Sequence, residues 1–493
     1  QVSAGRGKTH YYDSVPNNIR EPNLRAAIDT VIGPSGTPIC RVNSTAAADI
    51  AIVTAATYQG RNADPGCVPT NPFGAGSITQ QSVGYIVGTS YAVADIQQDS
   101  ASASVQAEPF STWADKVSIA AGIDYRKDSV RQIADPSALT TSAAFQTGSW
   151  QFGNRRPLNG SYDVMEFFGE TVVPLLKDAP GARALDLNAA VRSTNYSTSG
   201  TVTSWKAGVT YTPVSGLLFR GTKSRDIRAA NLVELFTPGV SIVGAIVDYG
   251  RTGNPTASVP TTTLGNATLK PEEADTTTLG VSWQPSGSGF RASVDWYQIK
   301  LKDAIGSLGG QNIVNACYGI TPFTSANPQY CGLISRDSTG VISNIANSTL
   351  NLAYTNTTGT DIELAYQFRS NLTLRLLATH LGSLEVNNGI VTVDRAGEIG
   401  NSRWRLNASA TWSHGPLLLF LQARYLQSAL IDVTFGPADI SDNNVPARTY
   451  LNGTAQYTLK EGQSGQLQAF LNVNNLLDQA PPVVPSASAS PSQ

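Results

Sequence analysis

Charge is what this 493-residue chain has least of: Asp, Glu, Lys and Arg together make up 14 %, against about 25 % in typical soluble proteins. That excludes an ordinary cytosolic surface, which must be wetted on every side. Methionine occurs once and histidine three times. His10, His380 and His414 are too scattered to share a metal, and the cysteine spacings fit no zinc pattern, so no metal site is expected. No run approaches the ~18 consecutive apolar residues of a transmembrane helix. A net charge of −2, without a basic run interleaved with aromatics, excludes nucleic acid as a partner. There is no G-x-S-x-G elbow, no Walker loop and no G-x-G-x-x-G. No catalytic residue, no cofactor and no enzymatic activity are expected. No secretory leader is expected within the stretch that begins at Gln1. The chain opens at QVSAGRGKT already in strand register, which places the expected start of the protein upstream of Gln1.

What is present is alternation. In RWRLNASATWS, Arg403, Arg405, Asn407, Ser409, Thr411 and Ser413 alternate with Trp404, Leu406, Ala408, Ala410 and Trp412. Period two is the signature of a strand, because successive side chains point to opposite faces. A soluble core would place its bulky aromatics centrally, whereas here the indoles stand at the two margins. At about 3.3 Å per residue and a tilt of about 40°, Trp404 and Trp412 project roughly 20 Å apart, close to the roughly 25 Å apolar band of an outer-membrane barrel. Indoles favour the headgroup level.

The pattern recurs in ALDLNAAVR, NLTLRLLA, TDIELAYQF, SWKAGVTY and LLLFLQARY, and none of the apolar rows contains a charge. Trp205, Tyr211, Trp404, Trp412 and Tyr425 end such rows and are the expected membrane-interface aromatics. A soluble core would also exclude charge from these rows, so the connections carry the decision. Short polar turns follow Tyr211, Trp283, Phe368, Trp412 and Leu459. They alternate with long loops at roughly 10–80, 229–271, 304–349, 385–402 and 429–447. One short rim and one long rim are what an outer-membrane barrel shows, with extracellular loops on the long side. About fifteen antiparallel strands are expected, each beside its neighbour in sequence. Cys40 with Cys67, and Cys317 with Cys331, form two local pairs in long loops and read as disulfides made in an oxidising compartment.

Three stretches, FRGTKSRDIRAANLVELF (219–236), LKPEEADTTTLGVSWQPSGSGFRASVDWYQIKLKDAI (269–305) and LNVNNLLDQAPP (471–482), resemble the C-terminal barrel half of TonB-dependent outer-membrane receptors. The likeness extends to GCVPTNPFG (66–74) and VVPLLKDAPGARALDLNAAVRSTNYST (172–198). The resemblance implies a barrel of about 22 strands filled by an N-terminal plug. It also implies energy delivered by TonB to a box ahead of that plug, and uptake of an iron chelate, cobalamin, a sugar or another scarce nutrient. It places the chain in the outer membrane of a Gram-negative bacterium, with outer-membrane lipid, its own plug, TonB and a small-molecule substrate as partners. The fold expected is therefore all-β, an antiparallel transmembrane outer-membrane barrel, partial, with about 15 of the 22 strands. Residues 1–485 are expected to be that partial barrel and 486–493 a low-complexity tail. The plug and its box would lie before Gln1, and the tail offers no closing aromatic strand. A barrel fragment with two free edges is therefore expected, one that would not transport unaided.

Arg192, Lys206, Arg220, Arg375, Arg403 and Arg405 stand on the polar side of their strands and form a basic inner set. They suit either an anionic substrate or the polar surface of a plug. Arg225, Asp226 and Arg228 in SRDIRA invite a ligand-site reading, but pairing with neighbouring strands near the rim is the expectation. Glu272, Glu273 and Asp275 likewise have no acid–base partner in reach and are expected to polarise the rim. Two other classes of function fit part of this pattern. A passive porin would need a closed barrel, and a secreted soluble β-rich binding protein would lack the aromatic belts.

Overall fold

The computed structural model describes residues 1–49, 63–140, 148–462 and 465–482, so the expected tail at 486–493 lies outside the described residues. Fifteen long strands form one wall. They are β1 (Val2–Ile19), β2 (Val87–Ala107), β3 (Ser118–Ala134), β4 (Leu158–Ala179), β5 (Ala182–Tyr196), β6 (Gly200–Val214), β7 (Leu217–Arg228) and β8 (Glu272–Trp283). They continue as β9 (Phe290–Gly306), β10 (Leu350–Gln367), β11 (Leu372–Asn387), β12 (Trp404–His414), β13 (Leu417–Leu426), β14 (Arg448–Gly462) and β15 (Gly465–Val473). Order in the sheet equals order in the chain, and every pairing between these strands is antiparallel. Among the described residues β1 and β15 each have one strand neighbour and do not pair with each other.

The register sorts side chains by face. Across β10 to β13, Leu364 faces Leu376, Leu376 faces Ala408, and Ala408 faces Ala423, while Tyr366 leads through Leu374 and Ala410 to Leu421. Directly opposed residues share a face, so Leu406, Ala408 and Ala410 lie on one continuous apolar surface. The other face carries Ala365, Arg375 and Ser409 in one row and Asp361, Thr379 and Arg405 in another. Following hydrogen-bonded neighbours from Tyr211 on β6 gives Phe219, Val281, Val294, Ile362, Ala378, Leu406 and finally Tyr425 on β13. The row starts next to a short turn and ends next to a long loop. A stagger of that kind obliges the strands to tilt, as barrel walls do.

The connections are sorted as the sequence implies. Residues 108–117, 180–181, 215–216, 284–289, 368–371 and 415–416 make the short rim, and the described residues of 20–49, 63–86, 135–140, 148–157, 229–271, 307–349, 388–403 and 427–447 make the long one. The three-residue link 197–199 is the exception on the long side. At the short rim Gly216 adopts φ 83°, and a Cβ there would stand 2.1 Å from the Gln284 carbonyl oxygen of the next turn. Only glycine lets the two turns pack.

Two sequence-based expectations are corrected. The first long loop begins at residue 20 rather than near 10, because His10 to Ile19 keep pairing with β2. The loops 229–271 and 307–349 are not plain loops. They build a second sheet, a canopy, from Val240–Val247, Thr256–Leu264, Ile342–Ser348 and Ile334–Arg336 in that order. Thr261 to Leu264 run parallel to Ile345 to Ser348. Against this sheet packs the helix Gly310–Tyr318. Ile246, Val259, Ile313, Val314, Ile342 and Ile345 meet in a core where none is more than 5 % exposed. Each such side chain stabilises by about 1.5–3 kcal/mol. The conventional hydrophobic core of this chain therefore sits in its loops, while the wall offers its apolar residues outward.

Candidate functional site

The polar face of the wall and the canopy above it form the candidate site. Wall strands fix the inner side chains by register, and four of the six expected cations are found in ion pairs. Arg192 donates to Glu166 at 3.1 Å and lies over the Phe168 ring at 5.0 Å. The buried Thr194 hydroxyl donates to the other oxygen of the same carboxylate at 2.8 Å. Arg220 on β7 meets Asp295 on β9 at 2.7 Å, reaching across β8. It can do so because Gly280 lies opposite both residues, and a Cβ at Gly280 would stand 2.0 Å from the Asp295 carboxylate. Arg375 pairs with Glu363 at 2.8 Å. Arg403 donates to the Gly382 carbonyl at 2.6 Å and to Asp394 at 3.3 Å, tying the loop strand Thr392–Asp394 to the wall. Lys206 and Arg405 have no salt bridge to another described residue. Lys206 lies opposite Ala190 and Ser224, and Arg405 lies opposite Thr379 and Leu426. A recess of about 130 Å³ brings Lys206 together with Arg192, Glu170, Ser204 and Asp226.

The SRDIRA segment divides between the two faces. Arg225 lies opposite Trp205 and Asp275 on the face of the apolar rows, where it binds Asp275 at 2.8 Å and Glu273 at 3.3 Å. Arg228 lies on the polar face with Glu272 at 2.6 Å and Glu234 at 3.0 Å. Glu234 also closes a capping box with Asn231, so this one arginine ties the wall to the helix Leu232–Phe236 at the foot of the canopy.

The aromatics form two levels around the apolar rows. Toward the short rim, Tyr211 stacks on Phe219 at 6.2 Å, Trp283 meets Phe290 edge-on at 5.5 Å, and Trp412 stacks on His414 at 5.7 Å. Toward the long rim, Trp404 packs on His380 at 4.6 Å, Trp205 lies opposite Val191, and Tyr425 opposite Leu406.

The canopy is held by charge as well as by its core. Arg336 grips Asp248 with both ends of its guanidinium, at 2.6 and 2.7 Å, and also donates to the Gly340 carbonyl and, at 3.1 Å, to the Tyr318 hydroxyl oxygen. Asp248 is 4 % exposed. Hydrogen bonds from Arg336 hold its carboxyl below the ordinary range, and Asp248 in turn pushes the guanidinium further up. Both expected disulfides are present, Cys40–Cys67 with Cα atoms 6.3 Å apart and Cys317–Cys331 with Cα atoms 4.8 Å apart. Closing a loop of about 15 residues stabilises by about 3 kcal/mol on the chain-entropy model. Thiol labelling of the unfolded, unreduced protein should therefore find no reactive cysteine, and four reactive thiols would refute both bonds.

Periodicity along single strands missed the canopy, although VSIVGAIV between Pro238-Gly239 and Asp248 carries a short-strand signal. No metal-holding group of three or more His, Cys, Asp or Glu occurs among the described residues.

No curated protein matches this chain in sequence. In structure it is similar to a mutant of the ferric enterobactin receptor PfeA from Pseudomonas aeruginosa, at 16 % identity and a TM-score of 0.56, over 80 % of this chain and 50 % of that one. It is similar to the siderophore receptor PirA from Acinetobacter baumannii, at 14 % identity and a TM-score of 0.53, over 83 % and 54 %. The FrpB iron transporter from Neisseria meningitidis matches at 13 % identity and a TM-score of 0.50, over 80 % and 52 %. The chain thus spans about half the length of these structures. A family model described as TonB dependent receptor-like, beta-barrel, matches residues 42–476. With fifteen staggered antiparallel strands, one apolar face and one polar face, the chain belongs to the TonB-dependent receptor-like β-barrel family.

Proposed function

We propose that this chain forms the wall of an outer-membrane receptor that imports a scarce nutrient, with an iron chelate as the favoured cargo. The observation that carries the reading is the two-faced wall under a built canopy. One face is an apolar surface bounded by aromatics at both levels, suited to lipid with Trp205, Tyr211, Trp404, Trp412 and Tyr425 at the headgroup depth. The other is a ladder of ion pairs in which Lys206, sharing a recess with Glu170 and Asp226, and Arg405 make no salt bridge among the described residues. Those two cations suit an anionic ferric chelate or a carboxylate of a plug, and the paired arginines shape the surface around them. Iron is favoured because the similar structures are by name a ferric enterobactin receptor, a siderophore receptor and an iron transporter. Energy coupling through a plug and TonB is part of this proposal.

The test is uptake of radiolabelled iron from a panel of ferric siderophores. The full-length product of its gene is expressed in a host lacking other iron-chelate receptors. Import should depend on TonB, and Lys206→Glu with Arg405→Glu should lower it at least tenfold while the protein still reaches the outer membrane. Passive entry of small solutes in a TonB-deficient host would replace this reading with a porin. Recovery of the chain in the aqueous phase after detergent partition would replace it with a soluble binding protein.

A further inference from the structure

One of the two edge strands of the canopy sheet is long and apolar. Val240–Val247 pairs with Thr256–Leu264 on one side and with no strand on the other among the described residues. Its sequence, VSIVGAIV, holds no charge and no proline, so it lacks the devices by which natural sheets blunt an edge. Ile242 is 70 % and Val243 47 % exposed.

The direction of the free backbone groups can be read from one end of the strand. The Val247 N–H donates to the Gln311 side-chain oxygen at 2.8 Å, and the Val247 carbonyl accepts from the Gln311 amide at 3.2 Å. A side-chain amide thus does at Val247 what a neighbouring strand would do. Strand alternation then turns the backbone groups of Ala245, Val243 and Ser241 to the same outer side. Pro260, which has no N–H to give, stands opposite Val243, as a non-hydrogen-bonded pair allows. No main-chain hydrogen bond to another segment is made by Ser241, Val243 or Ala245 among the described residues. Ile242 shares its face with Ile246, yet Ile246 is 5 % exposed, so the core covers one end of the strand and stops before Ile242.

We propose that this edge receives an extended polypeptide segment from outside the cell, added as a fifth strand of the canopy. An outward ladder of alternating N–H and C=O groups is complementary to another extended backbone. The exposed Ile242 asks for an apolar side chain beside it, and an uncharged edge gives no partner to a charge buried there. The segment is therefore a protein or peptide stretch with alternate apolar residues and no charge over about four positions. The proposal rests on the fold and on the long-loop rim and is independent of the transport reading.

The test pans a random peptide display library against the purified full chain in detergent. Recovered sequences should alternate apolar residues without charge and should bind at least tenfold more weakly to Val243→Pro, which removes one outward N–H and no bond within the sheet. Ile242→Lys, a charge on the open edge, should weaken them likewise. Trypsin resistance and an intact Cys317–Cys331 bond show that the canopy of each variant has folded. No enrichment, or peptides that bind both folded variants as tightly as the parent, overturns the proposal. Dimers of the parent chain that Val243→Pro converts to monomers also overturn it, by assigning the edge to a second copy.

Discussion

Replacing Arg336 with alanine will loosen the canopy by about 3–5 kcal/mol, the cost of leaving one member of a buried pair without its partner. Asp248 is almost wholly enclosed and takes both of its charge-assisted bonds from Arg336. Removing the guanidinium strands a carboxylate between the turn after the Val240–Val247 strand and the Ile334–Arg336 strand. Hydrogen exchange across 240–264 and 334–348 should speed up accordingly, and trypsin should cut there first. Because the folded carboxyl is held below its ordinary value, its stabilising contribution is complete above the unfolded value of about 3.9 and is lost as pH falls through the folded value. The parent canopy should therefore lose protection in acid. The Arg336→Ala canopy should show no such loss, because protonation relieves its stranded charge. Exchange rates that are equal in the two proteins at neutral pH would remove the pair from any account of canopy stability.

Leu374→Arg is the second large effect expected. Leu374 lies between Tyr366 and Ala410 on the apolar face, and its neighbour Thr373 lies between Gln367 and Thr411 on the polar face. An arginine on the lipid face of a barrel costs up to about 2–4 kcal/mol, the most at the midplane and less toward the interfaces. Thr373→Arg places the same side chain one residue away, among polar groups, and should assemble normally. Heat-modifiable migration of membrane-extracted protein reads the difference directly. Equal migration of the two variants would mean that the apolar face does not meet lipid.

The residues that announced the wall did so locally. Strict alternation over 403–413 requires a strand, and indoles at Trp404 and Trp412 set its apolar width, because both depend only on neighbours along the chain. Turn chemistry and loop length sorted the two rims for the same reason. The pairing of Cys317 with Cys331 was also legible, since both fall in one loop. Arg220 is a different case. Its sequence context places it on the polar face, but only the register of β7, β8 and β9 brings it to Asp295 across Gly280. The same holds for Arg228, Glu234 and Glu272, which come from three elements.

The canopy shows the limit most clearly. Its parallel pairing joins residues 261–264 to 345–348, and its buried pair joins 248 to 336. Nothing in either segment names the other. By itself the sequence determined a two-faced antiparallel wall, its aromatic margins and its long and short rims, because a strand's facing repeats every two residues. Only the tertiary structure decided which cations are compensated, where the apolar core lies and which edge stays open. Those properties depend on strands brought together across the fold, and periodicity along one strand carries no information about its distant neighbours.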